Sequence, residues 1–334
     1  MGSELEDAVS VGVEIGDWLS PTSRISAARA IEEHGFRECY MAEIGDPDVF
    51  VTTALALSAT STLRMTPCVV QLGPRSVPMI ASSASTIASN FPGRFSLAVG
   101  VSSQAIVEGW HGRAWTNPMS RAEESVELLR RLLAGESSDV AGTEVQSKGF
   151  RLSFPPDTTV PVQLAALNEK MLKLAARIAD GVWLNFVSRG HLKRVVTVIH
   201  DAADSANRPR PDILLSVPCF ITDDPAAERA RMRQILRFYM HSPAYRRAFS
   251  WFGFAAEMES AEAAIAVRDK ERLNQAITDA LVDSIALIGT ASEIKDHINE
   301  YFDAGISQLS VGPNDDAALQ AIFEHLSPGA EQRS

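Results

Sequence analysis

Apolar residues fall into short runs, many of them β-branched, that alternate with stretches of helical period along the whole chain. Val11–Ile15 predicts a strand, and Ile25, Ala28 and Ile31 then line one face of a helix ending near Gly35. Cys39–Ala42, Met65–Val70 and Phe95–Val99 predict the next three strands, with helical stretches near Val49–Ala59 and Val77–Ser89 between them. Arg121–Leu133 reads as a helix and Thr143–Phe154 as a small excursion of hairpin type. Pro161–Ala165 predicts a fifth strand. Asn168 is placed to cap the helix that follows, where Met171, Leu174, Ala175 and Ile178 keep the spacing of a buried stripe. Gly181 stops it before a sixth strand, Val182–Phe186. His191–Ser205 reads as helical, Ile213–Ile221 as a seventh strand and Ser307–Val311 as an eighth. Leu319, Ile322, Phe323 and Leu326 mark a last helix. Strands alternating with helices without reversal predict an α/β fold of the (β/α)8, or TIM-barrel, type rather than an open sheet.

One segment breaks the rhythm. Residues 224–282, Asp224 to Val282, are mostly helical where one crossover helix would suffice. They are expected to form a helical insertion between strands seven and eight, a lid on the C-terminal face, where barrel loops carry function. No internal repeat or low-complexity linker marks a second domain, so residues 1–334 read as a single one.

Composition narrows the classes. A length of 334 residues with 46% hydrophobic content suits one large barrel. No run of about eighteen apolar residues occurs, so no membrane span is expected. The short acidic stretch Met1 to Asp7 lacks the basic and apolar regions of a signal peptide. Cys39, Cys68 and Cys219 lie far apart without CxxC spacing, which reads as a reduced, cytoplasmic protein. A net charge of −11 argues against nucleic acid or an anionic membrane as partner. Any anionic cofactor must then be met by local amides and a few local cations.

Several chemistries lack their residues. There is no GxGxxG and no GxxxxGK[ST], so the usual nucleotide cradles are missing. The seven histidines sit mostly on predicted helices or in loops, with no HExxH and no HxH closing the first strand, so no metal is expected. No lysine ends a predicted strand as a Schiff-base aldolase requires. Chemistry by a bound cofactor remains.

His34-Gly35-Phe36, Met41-Ala42-Glu43, Asp48-Val49-Phe50-Val51, the run from Thr60 to Val70, Phe91-Pro92-Gly93-Arg94-Phe95 and Ala98-Val99-Gly100 occur in the order and spacing of a known family. The chain resembles the luciferase-like monooxygenase superfamily, and more closely its branch dependent on the deazaflavin coenzyme F420. Val107-Glu108-Gly109-Trp110-His111-Gly112, Pro243-Ala244-Tyr245-Arg246-Arg247 and Asp279-Ala280-Leu281-Val282-Asp283 resemble phrases of one sub-branch. The resemblance covers nearly the whole chain. It implies a barrel with the cofactor ring at the C-terminal mouth, usually in a homodimer, and F420 as cofactor, with FMN as the alternative.

Residue by residue, the resemblance implies a cis peptide between Cys68 and Val69 that bulges against the ring. It implies a cofactor-phosphate site in the turn Ala165-Ala166-Leu167-Asn168, with Lys170 as a cation, although Asn168-Glu169 stands where relatives have Gly-Pro. Glu14 matches an acidic position of methylenetetrahydromethanopterin reductases thought to handle a proton. Burial of an acid at a barrel mouth suits that task, and the other reading is a structural carboxylate bonded to a neighbouring strand's side chain. Glu43-Ile44 replaces the Asp-His of relatives that oxidise alcohols, which disfavours that reaction and leaves Glu43 a cofactor contact or a second candidate acid. Asn185 matches an Asn of the close sub-branch and reads as a donor to the ring or its side chain, or as a turn-forming residue. Ser102 and Ser103 read as cofactor contacts or loop caps. Trp110 and His111 read as pocket wall and proton donor, or as a cluster packing their loop down. Arg75 is the best-placed cation for an anionic tail or substrate, and Tyr245, with Arg246 and Arg247, is expected near the mouth. The expected activity is hydride transfer between F420 and a small organic substrate, with reduction of a C=C or C=N bond preferred. The rivals are an FMN-dependent monooxygenase and a flavin-binding protein without catalysis.

Overall fold

The computed structural model describes residues 10–328. The acidic Met1–Asp7 stretch lies outside them. Eight strands form the wall of a parallel barrel: β1 (Ser10–Ile15), β2 (Glu38–Ala42), β3 (Arg64–Cys68), β4 (Leu97–Gly100), β5 (Val162–Ala165), β6 (Gly181–Asn185), β7 (Asp212–Ile221) and β8 (Gln308–Gly312). β1 pairs with β2 on one side and β8 on the other, and the ladder continues through β7, β6 and β5 to β4. β3 pairs with β2, and its continuation Val70–Gln71 pairs with β4, which completes the circuit. The bond between Cys68 and Val69, where β3 changes partners, is cis, as the resemblance implies. The (β/α)8 class expected from alternation is what the chain forms.

Two cores follow from the two faces of each strand. Val13 and Ile15 of β1, Met41 of β2, Val99 of β4 and Leu215 of β7 point outward into one cluster with the surrounding helices. The interior holds a separate cluster of Tyr40, Cys68, Ala98, Trp183 and Leu214, with Val69 and Ala165 packed on it. Tyr40 and Trp183 meet edge to face with centroids 5.2 Å apart, and the Tyr40 hydroxyl donates to Gln308 Oε1 at 3.1 Å. This plug forces glycine at position 12, where a Cβ would stand 2.5 Å from Glu38 Cβ and 2.7 Å from the Tyr40 ring. The barrel is therefore filled below its C-terminal mouth.

The structure moves several boundaries. The helix expected from Arg121 begins at Pro118, because Asn117 Oδ1 accepts the Ser120 amide at 3.3 Å. The excursion pairs Asp139–Ala141 with Gln146–Lys148, earlier than expected, because the Glu124 carboxylate gathers the amides of Thr143, Glu144 and Val145 and fixes the turn. Between β7 and β8 run the helices Pro225–Met240, Pro243–Trp251, Ala255–Ala266, Lys270–Ala276 and Asp279–Ile285. The short strand Leu287–Gly289 then pairs beside the end of β7, and the helix Ala291–Asp303 leads back to β8. Three residues carry too little periodicity to announce that strand. No helix among the described residues is long and apolar enough to cross a membrane.

Candidate active site

Glu14 sits on the interior face of β1, near the mouth. Its Oε2 accepts hydrogen bonds from Ser216 Oγ of β7 at 2.5 Å and Ser310 Oγ of β8 at 3.0 Å. The register that sets Ser216 beside Ser310 brings both hydroxyls to one carboxylate oxygen. Oε1 has no hydrogen-bond partner among the described residues. Burial pushes the Glu14 pKa above its ordinary value, the two serine hydroxyls pull against that shift, and the charge of Asp17 adds to it. Sequence reasoning found Glu14 but missed both serines. Their signal was present: each is a lone hydroxyl at an inward position of an otherwise apolar strand.

Aromatic rings roof this side. Asn185 Nδ2, at the end of β6, donates to the Tyr245 hydroxyl at 3.2 Å. Phe186 follows with φ 53°, a left-handed conformation uncommon outside glycine, and turns its ring to Tyr239 and Tyr245 with centroids 4.9 and 6.0 Å away. Tyr239 and Tyr245 stand 4.8 Å apart, and the charge of Glu14 reaches both phenols, whose pKa values burial already raises. Tyr245 is thus brought to the end of β6, and Tyr239 and Phe186 join it unannounced. Arg246 donates to the Met240 carbonyl at 2.6 Å, and Arg247 is exposed.

The opposite side of the mouth is an ion-pair network. Glu43 follows β2, and its carboxylate, 3% exposed, receives both Nη atoms of Arg75 at 2.8 and 2.7 Å and the Gln71 amide at 3.2 Å. Arg75 also reaches Asp48 Oδ2 at 3.0 Å, and Asp48 Oδ1 caps the helix Val49–Ser58 through the Val51 amide. Expected as an available cation, Arg75 is instead answered by two carboxylates, so the group offers an incoming anion no net positive charge. Gln71 ties the network to its neighbours, donating to the Ile44 carbonyl at 2.6 Å and accepting from Ser102 Oγ at 3.0 Å. Behind it Arg24, 0% exposed, donates to the carbonyls of Leu19 and Ala42. Nothing in the local sequence marked Arg24.

Between the two sides lies the floor at Cys68 and Val69. A Cβ at Gly100 would fall 2.8 Å from Val69 Cγ2 and 3.2 Å from Ala165 Cβ, so glycine lets the bulge seat there. Burial drives the Cys68 thiol well above its ordinary pKa, which keeps this floor uncharged. Ser103 gives its carbonyl to the Val107 amide at 2.9 Å, opening the turn Ala105–Trp110. Trp110 is 57% exposed and leans over Gly45, whose Cβ would stand 3.2 Å from the indole; His111 is exposed beside it.

At the β5 turn, Ala166 is fixed by its amide to the Trp183 carbonyl, and Leu167 is half-buried. Asn168 corrects the expectation of a side-chain cap. It occupies the N-cap position of the helix Glu169–Ile178, but Nδ2 donates to the Ala244 carbonyl at 3.4 Å and Oδ1 caps no amide. Competition from the Ala244 carbonyl of the helix Pro243–Trp251 draws it away, and the first amides of its own helix stay available. Glu169, which would repel an anion there, is paired with Lys173 at 2.6 Å, and Lys170 is exposed.

Comparison with known proteins now decides the family. A family model described as luciferase-like monooxygenase matches residues 11–308. The chain belongs to that family. It is 27% identical over 307 residues to the 5,10-methylenetetrahydromethanopterin reductase of Methanolobus tindarius, covering 90% of this chain and 94% of that one. A Mycobacterium tuberculosis protein with the provisional name coenzyme F420-dependent oxidoreductase is 26% identical over 337 residues, covering 92% and 96%. Among solved structures, the F420-dependent tetrahydromethanopterin reductase of Methanopyrus kandleri superposes with a TM-score of 0.80 at 20% identity, over 95% of this chain and 98% of that one.

Proposed function

We propose that this luciferase-like family member is an F420-dependent oxidoreductase that reduces a C=C or C=N bond of a small organic substrate at the barrel mouth. The observation that carries the reading is Glu14: a carboxyl with a raised pKa, one oxygen held by two serines and the other uncommitted. The relatives named for F420 support the cofactor.

The residues present fit a planar, phosphate-bearing cofactor. Cys68, Val69 and Ala165 offer an uncharged apolar floor, and the uncapped helix after Asn168, with Lys170 beside it, offers amides and a cation to a phosphate. Asn185, Ser102 and Glu43 flank the same opening. When bound, the deazaflavin supplies a hydride, a two-electron equivalent. Glu14 Oε1 would give a proton to one atom of the substrate's double bond and become a carboxylate, which Ser216 and Ser310 stabilise. Water at the mouth then returns the proton. The helices over 224–282 act in this reading as a lid, Tyr239 and Tyr245 excluding water above Glu14.

The protein is read as a single-domain homodimer of the cytoplasm. Val51 and Leu55 on one helix and Met79 on the next are 59%, 49% and 63% exposed, apolar surface that suits a second copy. The three cysteines are unpaired. Absorbance titration of purified protein with F420 and, separately, FMN tests the cofactor. Saturation by F420 at micromolar levels or tighter with weak FMN binding is expected. Stoichiometric FMN with oxygen consumption would replace the reading with a monooxygenase.

A further inference from the structure

A cleft of about 160 Å3 lies outside the mouth, lined by Arg189, Arg229, Asp283, Ala286, Ile288 and His297. Neither Glu14 nor Glu43, nor the aromatic roof, borders it. The turn after β6, the first and last helices of the run between β7 and β8, the strand Leu287–Gly289 and the helix Ala291–Asp303 converge there.

His297 Nδ1 stands 3.3 Å from Glu300 Oε2, and among the described residues one cation of the lining meets no carboxylate. Asp283 Oδ1 accepts from Arg229 Nε at 2.7 Å, so this carboxylate answers one guanidinium. Arg189 donates from Nη2 to the Asp283 backbone carbonyl at 2.7 Å. A carbonyl fixes its direction without neutralising it, and among the described residues no carboxylate pairs with Arg189. One turn beyond His297, the Tyr301 hydroxyl is fully buried, has no hydrogen-bond partner and lies within electrostatic reach of Arg189. An unanswered cation beside an unused donor, both partly withdrawn from water, is costly unless an anion completes the group.

Size selects the anion. At about 30 Å3 per water molecule, the cleft has room for roughly five waters. That suits a tetrahedral oxyanion with its residual hydration and falls short of the roughly 300 Å3 at which sites for larger ligands start. We propose that this cleft binds a small phosphate-class oxyanion, either the free ion or the phosphate of a small metabolite, with Arg189 as its main ligand and Arg229 and His297 as its flanks. Arg229 shares the helix Pro225–Met240 with Tyr239, and Arg189 follows Asn185 by four residues, so an occupied cleft braces the roof of the mouth against β6. The inference does not depend on the cofactor.

Calorimetric titration of the full chain without cofactor tests it, using inorganic phosphate in buffer held at constant ionic strength with chloride. One site with a dissociation constant near the millimolar level or tighter is expected. Arg189→Gln should weaken it about tenfold or more, the loss of a charge-assisted contact, while Arg189→Lys retains part of it. His297→Glu leaves the Arg189–Asp283 tie intact and should also weaken binding, which covers the case in which Arg189→Gln fails to fold. Glycerol 3-phosphate binding more tightly than phosphate would make the ligand a phosphorylated metabolite; equal or weaker binding would make it the free ion. No saturable heat up to about 20 mM phosphate, against the millimolar affinity expected, would overturn the proposal. So would variants that bind like the parent, or displacement of phosphate by saturating F420.

Discussion

Two glutamates stand on adjacent strands of one mouth, yet their surroundings prepare them for different work. Glu14 meets only neutral donors, Ser216 and Ser310, both on one oxygen, so the other oxygen remains free and burial raises the pKa. Glu43 has both oxygens engaged by Arg75 and one also by the Gln71 amide. Two hydroxyls on one oxygen leave the other oxygen of Glu14 open, whereas the bidentate guanidinium commits both oxygens of Glu43 to hydrogen bonds. Under the proposed function, proton transfer falls to Glu14 and architecture to Glu43, although residue type alone makes them equal candidates.

The largest expected effect tests that assignment directly. Glu14→Gln keeps the shape and the acceptor oxygen for the serines but removes the transferable proton. Turnover with reduced F420, followed through the cofactor's absorbance, should fall by about 10²–10⁴, while the dissociation constant for F420 changes less than about twofold. The same substitution at Glu43 should behave in the opposite way. Breaking one partner of a buried ion pair costs about 3–5 kcal/mol, but Arg75 is 25% exposed and keeps Asp48, so a loss nearer 1–2 kcal/mol is expected. A urea midpoint lowered accordingly, with turnover reduced less than about tenfold, is the expected pair of results. A collapse of rate without loss of stability would exchange the two roles.

The sequence displays some of this site and hides the rest for a physical reason. Glu14 was legible because the resemblance matched it to an acidic position, and the alternation of strand and helix placed it in a barrel wall. The resemblance placed the cis bond between Cys68 and Val69. What stayed hidden depends on contacts across the closed sheet. Ser216 and Ser310 lie 202 and 296 residues from Glu14, and only the register of β7 and β8 against β1 unites them. Arg75 looked available because its partners Glu43 and Asp48 arrive from another loop. Asn168 has the composition of a cap, yet the Ala244 carbonyl, 76 residues away, outcompetes its local amides. Local pattern reports local preference, and the mouth is assembled by non-local pairing.

The smallest expected effect sharpens the comparison most, because it alters the Glu14 environment without touching the acid. Ser310 donates to Oε2 at 3.0 Å from a buried position on β8, and its bond lowers a pKa that burial raises. Ser310→Ala removes that counterweight, so the Glu14 pKa should rise further. A hydrogen bond contributes about 1 kcal/mol, and 1.36 kcal/mol corresponds to one pH unit, so the shift should be somewhat under one unit. Turnover depends on the protonated acid and is therefore lost as pH rises through the folded pKa. The alkaline limb of the profile should move upward in Ser310→Ala and vanish in Glu14→Gln. Stability carries the same sign. A carboxyl whose folded pKa exceeds its unfolded one contributes fully below the unfolded value, and the contribution fades as pH climbs through the folded value. The parent should thus lose stability relative to Glu14→Gln as pH rises above the ordinary carboxylate range, and Ser310→Ala should extend that loss to higher pH. An alkaline limb that stays in place in Ser310→Ala would mean that a group other than Glu14 sets the profile, and the exposed His111 would be the next to substitute.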